Sequence, residues 1–423
     1  MTLPAQGTCA LIGGCLIDGL GGDPVPNSCV VIEGGRIVAA GPVADVSMPR
    51  AATRMDVSGL TVLPGFIDCH VHATYRARDM RRHLLNTPTY NVLRSTQILE
   101  ETLACGVTTA RDMGGADAGF RQAIEEGIVA GPRLLISIVM ISQTGGHGDA
   151  WVPAGIRIQK RAWLPSPVAD GPDEVRRLVR QVLMAGADFV KICSTGGITS
   201  VTDSWEEPQF TLDELRTAVT EAAMRHKRVA VHAEGIEGIR TALAAGVHSL
   251  EHGWFIDEQA IDEMVRQRTW WVPTLGLVPQ SVEHRKQDAN WHAQQLANED
   301  AKDAEIFARM QAQIPIYREA VRRGVRIAFG TDQSHRLLVG ENLIELQYMV
   351  EWLGMSPMQA IVAATSRAAE CIERPALGAI VAGRVADIVV VEGDPLADIR
   401  LLQERRRIRL VIKDGRVWRS ALG

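Results

Sequence analysis

The chain has 423 residues, of which 46% are hydrophobic and 22% are charged, and its formal net charge is -5 at pH 7. This is the composition of an ordinary globular protein, and without a long basic run the chain is a poor partner for nucleic acid or an anionic membrane surface. Its apolar runs are all well short of the roughly 20 residues that a membrane-spanning helix needs. The partner that remains is a small molecule.

The cysteines indicate the compartment. The seven are Cys9, Cys15, Cys29, Cys69, Cys105, Cys193 and Cys371. Their number is odd, their spacing is irregular, and no Cys-x-x-Cys pair occurs. Most lie inside apolar runs, which is typical of reduced, buried thiols and not of a disulfide framework. We therefore expect a cytoplasmic protein.

Both ends of the chain carry short apolar runs separated by turn residues. Residues 28–32 and 36–39 flank a Gly-Gly turn, and residues 409–412 and 416–418 flank an Asp-Gly turn. Such patterns are typical of β-hairpins. Two strand-rich ends around a long stretch of different texture predict one small β-sandwich domain to which both termini contribute.

The middle of the chain alternates strands with helices. The eight candidate strands occupy residues 66–72, 107–112, 133–141, 189–194, 229–232, 248–252, 270–275 and 326–332. Such alternation predicts an α/β fold with a parallel sheet, and eight units in about 300 residues fit a closed (β/α)8 TIM barrel. An open doubly wound sheet is the alternative, but no Gly-x-Gly-x-x-Gly motif follows the first strand, which removes the usual dinucleotide-binding interpretation.

These patterns divide the chain into two domains. Residues 1–64 and 372–423 are predicted to form the β-sandwich, and residues 65–371 the barrel. Two further stretches, residues 150–172 and 280–304, are long and irregular or polar. We expect them to form lids or contacts in a homo-oligomer.

Six ionisable residues lie at or near the carboxyl ends of five predicted strands. They are His70, His72, Lys191, His232, His252 and Asp332. Because the active site of a β/α barrel lies at those strand ends, we expect these side chains to meet at the barrel mouth. His70 and His72 are two residues apart, so they share one face of their strand. Each residue alone has an ordinary structural interpretation, but together they predict a site for zinc or another divalent ion.

Lys191 lies in an otherwise apolar strand, where burying a cationic amine carries a large desolvation cost. One interpretation is a structural lysine that pairs with a buried acid or points outward at a strand edge. The other is a neutral amine that reacts with CO2. The resulting carbamate has two oxygens and one negative charge, and it can bridge two cations.

The chain resembles the amidohydrolase superfamily over nearly its whole length. The motifs that carry the resemblance are Leu-Pro-Gly-Phe-Ile-Asp-Cys-His-Val-His at residues 63–72, Gly-Val-Thr-Thr at 106–109, Val-Lys at 190–191, His232, Glu-His-Gly at 251–253, Gly-Thr-Asp at 330–332, Ala-Ile-Val-Ala-Ala-Thr at 360–365 and Gly-Arg-Val-Ala-Asp-Ile-Val-Val at 383–390. Residues 144–149 and 194–197 resemble the branch that includes Xaa-Pro dipeptidases and carboxypeptidases, with ochratoxin-type amidases and imidazolonepropionase-like proteins nearby.

The resemblance implies a metal-dependent hydrolase that cleaves an amide or peptide bond. The implied ligands are His70, His72 and Asp332 for one ion, His232 and His252 for the other, and a carboxylated Lys191 between them. The hypothesis is that two zinc ions activate a water and that Asp332 acts as general base and then general acid. N-acyl amino acids, Xaa-Pro-type dipeptides and related aryl amides are the expected substrates.

Three further residues are candidate substrate contacts. His147 resembles a histidine that contacts substrate in this branch, and it is also predicted to act in catalysis by helping to stabilise the developing oxyanion. A structural loop histidine is the alternative. Glu234 stands where some relatives carry His or Tyr, and it either contacts substrate or orients a ligand histidine. Trp254 is expected to line an apolar pocket, with ordinary packing as the alternative.

Two rival functions remain open. The first is a mononuclear lactam hydrolase or deaminase of the imidazolonepropionase kind, or a carbamate or urea hydrolase on the same site. The mononuclear enzymes lack the lysine in the fourth strand, so Lys191 favours the binuclear interpretation. The second is a non-catalytic scaffold that has lost its metal ligands, which the six filled positions disfavour.

Overall fold

A computed structural model describes most of the chain. The described residues are 7–74, 86–149, 151–152, 155–157, 164–198, 200, 203–287, 299–334 and 336–422. The predicted lid or oligomer stretches, residues 150–172 and 280–304, lie partly outside these ranges. The described part of the second stretch is largely helical. Within the described ranges, no helix has the length and apolar character needed to cross a membrane.

The middle of the chain contains the eight parallel strands that the sequence predicts. They are Phe66–Val71, Val107–Asp112, Arg133–Ile136 continued by Met140–Ile141, Val190–Cys193, Val229–Ala233, Ser249–His252, Trp270–Val272 and Arg326–Ile327. The third strand, predicted as continuous, is interrupted where Ile138 takes a φ of 71°. A β-branched residue in this left-handed conformation breaks the strand pleat.

Backbone hydrogen bonds join the last strand to the first. The eighth strand is regular only over Arg326–Ile327, but the chain beyond it still pairs with the first strand. The amide of Cys69 donates to Phe329 O at 3.0 Å, and the amide of Asp332 donates to His70 O at 2.7 Å. These bonds close the ring and bring residues at both ends of the barrel sequence to the same point.

Twelve described helices accompany the strands. They are Pro88–Ala104, Ala118–Glu125, Gly171–Met184, Leu212–Ala223, Ile236–Ala245, Glu258–Gln267, Leu277–Gln287, Glu299–Ala312, Ile314–Arg322, Ile344–Glu351, Pro357–Ala363 and Ser366–Cys371. Local chemistry sets their ends. Thr211 and Glu214 form a reciprocal capping box at one start, and Gly246 closes another helix at a φ of 83°.

Both termini build the predicted β-sandwich. One sheet has the strand order Arg36–Pro42, Ser28–Glu33, Cys9–Ile12 and Thr53–Asp56, and the other has Cys15–Leu16, Leu60–Pro64, Ile388–Glu392, Ile408–Lys413 and Arg416–Ser420. The antiparallel pairing of Leu60–Pro64 with Ile388–Glu392 joins the two ends of the chain. An ion pair between Arg133 and Asp387, at 2.7 Å, fastens this domain to the third barrel strand.

Candidate metal centre

One cluster of metal-ligating side chains forms where the first and eighth strands meet. The Asp332 Oδ1 atom lies 3.5 Å from His70 Nε2 and 3.2 Å from His72 Nε2. Asp332 follows the eighth strand with a φ of 54°, and this left-handed conformation turns the chain at the barrel mouth. The three donor atoms lie within 4.8 Å of one another, close enough to surround one ion.

A second cluster lies beside the first on the fifth and sixth strands. The ring centroids of His232 and His252 are 4.6 Å apart, and that of His252 is 4.9 Å from the ring of His70. His252 also has a left-handed backbone, with a φ of 67°. The four histidines therefore form one contiguous group.

Lys191 lies inside the barrel and not on its outer wall. Its side chain is 1% exposed, and its Nζ has no hydrogen-bond partner among the described residues. Burial lowers the pKa of Lys191. Burial, followed by the charge of Lys191, also holds the pKa of His70 well below its usual value. A buried amine without a partner suits conversion to a carbamate, because the two added oxygens can make the polar contacts that the amine lacks.

Asp332 is the most acidic group of the centre. Burial by itself would raise its pKa, but the neighbouring His70 and His72 outweigh that effect and lower the pKa of Asp332 to about 2. Its side chain is 15% exposed, against 1% for His70. Asp332 is therefore an ionised carboxylate that a water from the barrel mouth can reach.

Backbone carbonyls orient two of the histidines. His72 Nδ1 lies 3.3 Å from Gly114 O, and His232 Nε2 lies 3.0 Å from Gly196 O. A carbonyl oxygen only accepts, so these ring nitrogens carry the hydrogen. The lone pairs of His72 Nε2 and His232 Nδ1 are left to bind a metal, which is the arrangement that metal-ligating histidines usually adopt.

Side chains orient the other two. His70 Nδ1 lies 2.9 Å from Glu251 Oε2, and His252 Nδ1 lies 2.8 Å from Thr274 Oγ1. Glu251 itself receives hydrogen bonds from Arg111 and Ser249. Arg111, Ser249 and Glu251 are not among the site residues predicted from the sequence. Opposite charges inside two of the predicted barrel strands, Arg111 in the second and Glu251 in the sixth, are the signal that could have identified the pair.

Glu234 lies beside the second cluster. It is buried, and burial raises its pKa well above the usual value. One oxygen accepts from the amide of Ile198 at 3.1 Å, and the other lies 3.8 Å from His232 Nε2. That nitrogen already donates to Gly196 O at 3.0 Å. Glu234 therefore faces the side of His232 that is turned away from a metal, although its distances alone group it with the two histidines.

His147 forms a wall of the site. Its ring stacks on that of His232 with centroids 4.2 Å apart and an interplanar angle of 16°, and its Nδ1 lies 2.7 Å from Ser200 Oγ. A Cβ atom added to Gly197 would stand 2.2 Å from His147 Cε1. The absence of a side chain at Gly197 thus makes room for the imidazole.

Trp254, which the sequence predicts to contact substrate, is enclosed by the protein. Its side chain is fully buried, and its indole Nε1–H donates to Pro273 O at 2.8 Å. Its ring centroid lies 5.3 Å from that of His252. The indole N–H finds its partner inside the protein, so the residue packs as support for His252 and presents no surface to a ligand.

The chain is similar in sequence and structure to known hydrolases. The amidohydrolase family model matches residues 61–418. Ochratoxinase from Aspergillus niger is 31% identical over 97% of this chain and 86% of its own length. The crystal structure of a Xaa-Pro dipeptidase with methionine bound in its active site is 33% identical, with a TM-score of 0.87, and covers 98% of this chain and 100% of that one. Imidazolonepropionase from Cutibacterium acnes is 24% identical over 86% of this chain and 84% of its own length.

Proposed function

The chain belongs to the amidohydrolase family and is a hydrolase that acts on C–N bonds, and we propose that it cleaves an amide or peptide bond with two zinc ions. The observation that carries the proposal is the buried amine of Lys191, which has no partner among the described residues. Its charge acts on histidines of both donor clusters. A single group at this position can therefore serve two ions.

The donor set fits this pair of ions. In the proposal, His70, His72 and Asp332 hold one ion, and His232 and His252 hold the other. The neutral amine of Lys191 would bond to the carbon of CO2 and lose a proton, and the resulting carbamate would supply oxygen donors to the centre. When bound, the ions polarise a substrate carbonyl and lower the pKa of a water.

Asp332 moves the proton. Its carboxylate is ionised at neutral pH because its pKa is about 2, and in the proposal this ionised group takes the proton from the attacking water. The carboxylate lies next to the imidazoles, with its Oδ1 3.2 Å from His72 Nε2. The protonated carboxyl then returns the proton to the leaving amine, which completes general acid and base catalysis with one group.

In the proposal, His147 and Glu234 form the wall of the site beside the second donor cluster, His232 and His252. His147 stacks on His232, which puts an imidazole beside the carbonyl that is attacked, where it donates a hydrogen bond to the developing oxyanion. Glu234 holds the loop that carries Gly197, because its Oε2 accepts from the amide of Ile198. The carboxylate thereby keeps this part of the wall in position for substrate contact.

The proposed substrate is a small-molecule amide: an N-acyl amino acid, a Xaa-Pro-type dipeptide or a related aryl amide. The similarity to ochratoxinase, at 31% identity, and to a Xaa-Pro dipeptidase, at 33% identity, supports this class. The dipeptidase has methionine in its active site. A site that accepts a free amino acid in that protein is consistent with an amino-acid product here.

A mononuclear lactam hydrolase is the second candidate. The 24% identity with imidazolonepropionase and the acidic Glu234 two residues after His232 favour it. The two candidates differ in the number of ions that they require, because a single ion needs no bridging group at Lys191. Metal counting therefore separates them.

The test is a metal titration coupled to a substrate screen. Purified apo-protein is loaded with zinc in the presence of bicarbonate, metal content is measured, and hydrolysis of N-acyl amino acids, Xaa-Pro dipeptides, aryl amides and a cyclic lactam is compared. We expect two ions per chain and hydrolysis of a linear amide, both abolished by chelation and restored by zinc. One ion per chain with activity on the lactam alone would favour the mononuclear candidate, and an unchanged rate after exhaustive chelation would contradict both.

A further inference from the structure

We infer that Glu251, fixed by Arg111 and Ser249, is a positioning residue that locks His70 as a metal donor and makes the first donor cluster hold its ion more tightly than the second. This inference rests on the metal centre of the proposed function. It concerns three residues that lie beneath the donor clusters, and it predicts that the two ions bind with unequal affinity.

The hydrogen bonds around Glu251 leave only one arrangement of protons. Its Oε1 atom accepts from Arg111 Nη2 at 2.9 Å and from Ser249 Oγ at 2.6 Å. Its Oε2 atom lies 2.9 Å from His70 Nδ1. The carboxyl group is fully buried and pairs with the guanidinium of Arg111 at 2.9 Å, and a carboxylate oxygen accepts hydrogen bonds. His70 Nδ1 must therefore carry the hydrogen, which leaves Nε2 as a lone pair.

The free nitrogen of His70 points into the first cluster. His70 Nε2 lies 3.5 Å from Asp332 Oδ1, so the lone pair faces the donors with which it would share an ion. The carboxylate behind the ring also makes the imidazole a stronger donor, because negative charge at Nδ1–H raises electron density at Nε2. Glu251 thus sets both the direction and the strength of one ligand.

Arg111 holds this assembly to the barrel wall. Besides the bond to Glu251, its Nε donates to Cys69 O at 2.6 Å, the carbonyl directly before His70. Its guanidinium lies over the ring of Phe189, 5.3 Å from the centroid. One cation therefore fixes the carboxylate and the strand that carries the histidine, so the His70 ring and its partner are held in a constant relation.

Among the described residues, no carboxylate lies within hydrogen-bond distance of a histidine ring of the second cluster, since Glu234 Oε1 is 3.8 Å from His232 Nε2. His252 Nδ1 pairs with the hydroxyl of Thr274 at 2.8 Å, and a hydroxyl can donate or accept, so it does not fix the tautomer. His232 pairs with a neutral carbonyl. Within the described ranges, no aspartate faces this cluster in the way that Asp332 faces His70 and His72. An ion there has weaker donors than an ion in the first cluster.

The experiment measures stepwise zinc affinity of apo-protein by competition with a chromophoric chelator. In the parent chain we expect a tight and a weak step. Glu251→Gln removes the charge and should weaken the tight step by about 10–100-fold, while the weak step keeps its parental value. The matched variant Thr274→Val, at the partner of His252, should change the weak step alone.

Two further readouts separate positioning from simple damage to the fold. Thermal unfolding of the apo-protein checks that Glu251→Gln is folded, and ¹⁵N chemical shifts of labelled histidines report which nitrogen of His70 carries the hydrogen. We expect the Nδ1–H form of His70 in the parent and a mixture of forms in Glu251→Gln. A merely structural residue would not change this ratio in a folded protein.

A milder variant decides the matter if Glu251→Gln does not fold. Ser249→Ala keeps the ion pair of Glu251 with Arg111 and should weaken the tight step a few-fold. Parental affinity in Ser249→Ala would then overturn the inference, as would a folded Glu251→Gln that binds both ions like the parent. If the parent itself binds one ion, the proposed two-metal function fails, whereas an effect of Glu251→Gln on that single ion still supports the positioning role.

Discussion

His70 and His252 are both buried histidines at the end of a barrel strand, and their rings lie side by side. The first is backed by a carboxylate and the second by a hydroxyl. The first also faces an aspartate, which is the catalytic proton carrier in the proposal, whereas the second lies edge-on to His232, on which His147 stacks. The two histidines thus belong to different halves of the centre. The charged half, His70 with His72 and Asp332, is suited to retaining an ion and moving a proton. The neutral half, His252 with His232, is suited to contacting the substrate.

The largest effect is expected when the charged half loses its proton carrier. Asp332→Asn removes the base and should lower kcat by about 10²–10⁴-fold, which is the usual contribution of general acid–base catalysis. Steady-state kinetics measure the change, and circular dichroism should show an unaltered fold. A variant that keeps more than about a tenth of the parental kcat would show that another group carries the proton.

Removing the group shared by the halves should have the next largest effect. Lys191→Ala should lower activity by about 100-fold or more, because both ions lose a donor. In the parent, ¹³C NMR after exchange with labelled bicarbonate should show a carbamate signal, and this signal should be absent from the variant.

A second buried lysine provides the control for that substitution. Lys413 is 4% exposed, but its Nζ donates to Gly131 O at 2.8 Å, far from the centre in sequence and at the edge of the sandwich. Lys413→Ala should reduce thermal stability and leave kcat and the carbamate signal as they are. Equal activity losses in the two variants would mean that Lys191 acts through stability alone.

A moderate effect is expected from crowding the neutral half. Gly197→Ala places a methyl group against the ring of His147 and should raise KM about tenfold, which corresponds to about 1.4 kcal/mol, with a smaller change in kcat. Gly22→Ala is the matched control, because nothing lies within 4 Å of a Cβ atom there. An unchanged KM in Gly197→Ala would exclude His147 from substrate contact.

The smallest effect is expected at Glu234. Because the nitrogen of His232 that faces Glu234 is bound to Gly196 O, Glu234→Gln should retain both ions and change kcat/KM only a few-fold, through the loop at Ile198. Metal analysis of the variant tests this directly. Loss of the second ion would instead make Glu234 a ligand and give the neutral half a charge of its own.

The sequence predicts the fold well because its signals are local. Glycines such as Gly106 and Gly246 mark the ends of helices, and alternation of strand and helix along the chain requires a parallel sheet. The candidate ligands could also be located, since a barrel directs all carboxyl strand ends to one face. His70 and His252, for example, are assigned to that face from their positions in strands one and six.

The supports of those ligands could not be predicted in the same way. The contact of Arg111 with Glu251 joins strands two and six across the barrel interior, and no spacing along the chain encodes which side chains meet there. Trp254 is a related case, because its buried indole donates to Pro273 O just after the next strand, a contact that no spacing along the chain encodes. The break at Ile138 depends on backbone conformation, which residue type does not reveal.

The left-handed residues of the centre have a consequence for heat resistance. His252, Thr274 and Asp332 have φ values of 67°, 48° and 54°, a conformation that costs a non-glycine residue on the order of 1 kcal/mol or more. The remainder of the barrel must supply that free energy for the ring of ligands to exist. Substitutions that relax this backbone strain would therefore raise thermal stability but disturb the candidate metal centre. At these three positions, stability and activity are expected to oppose each other.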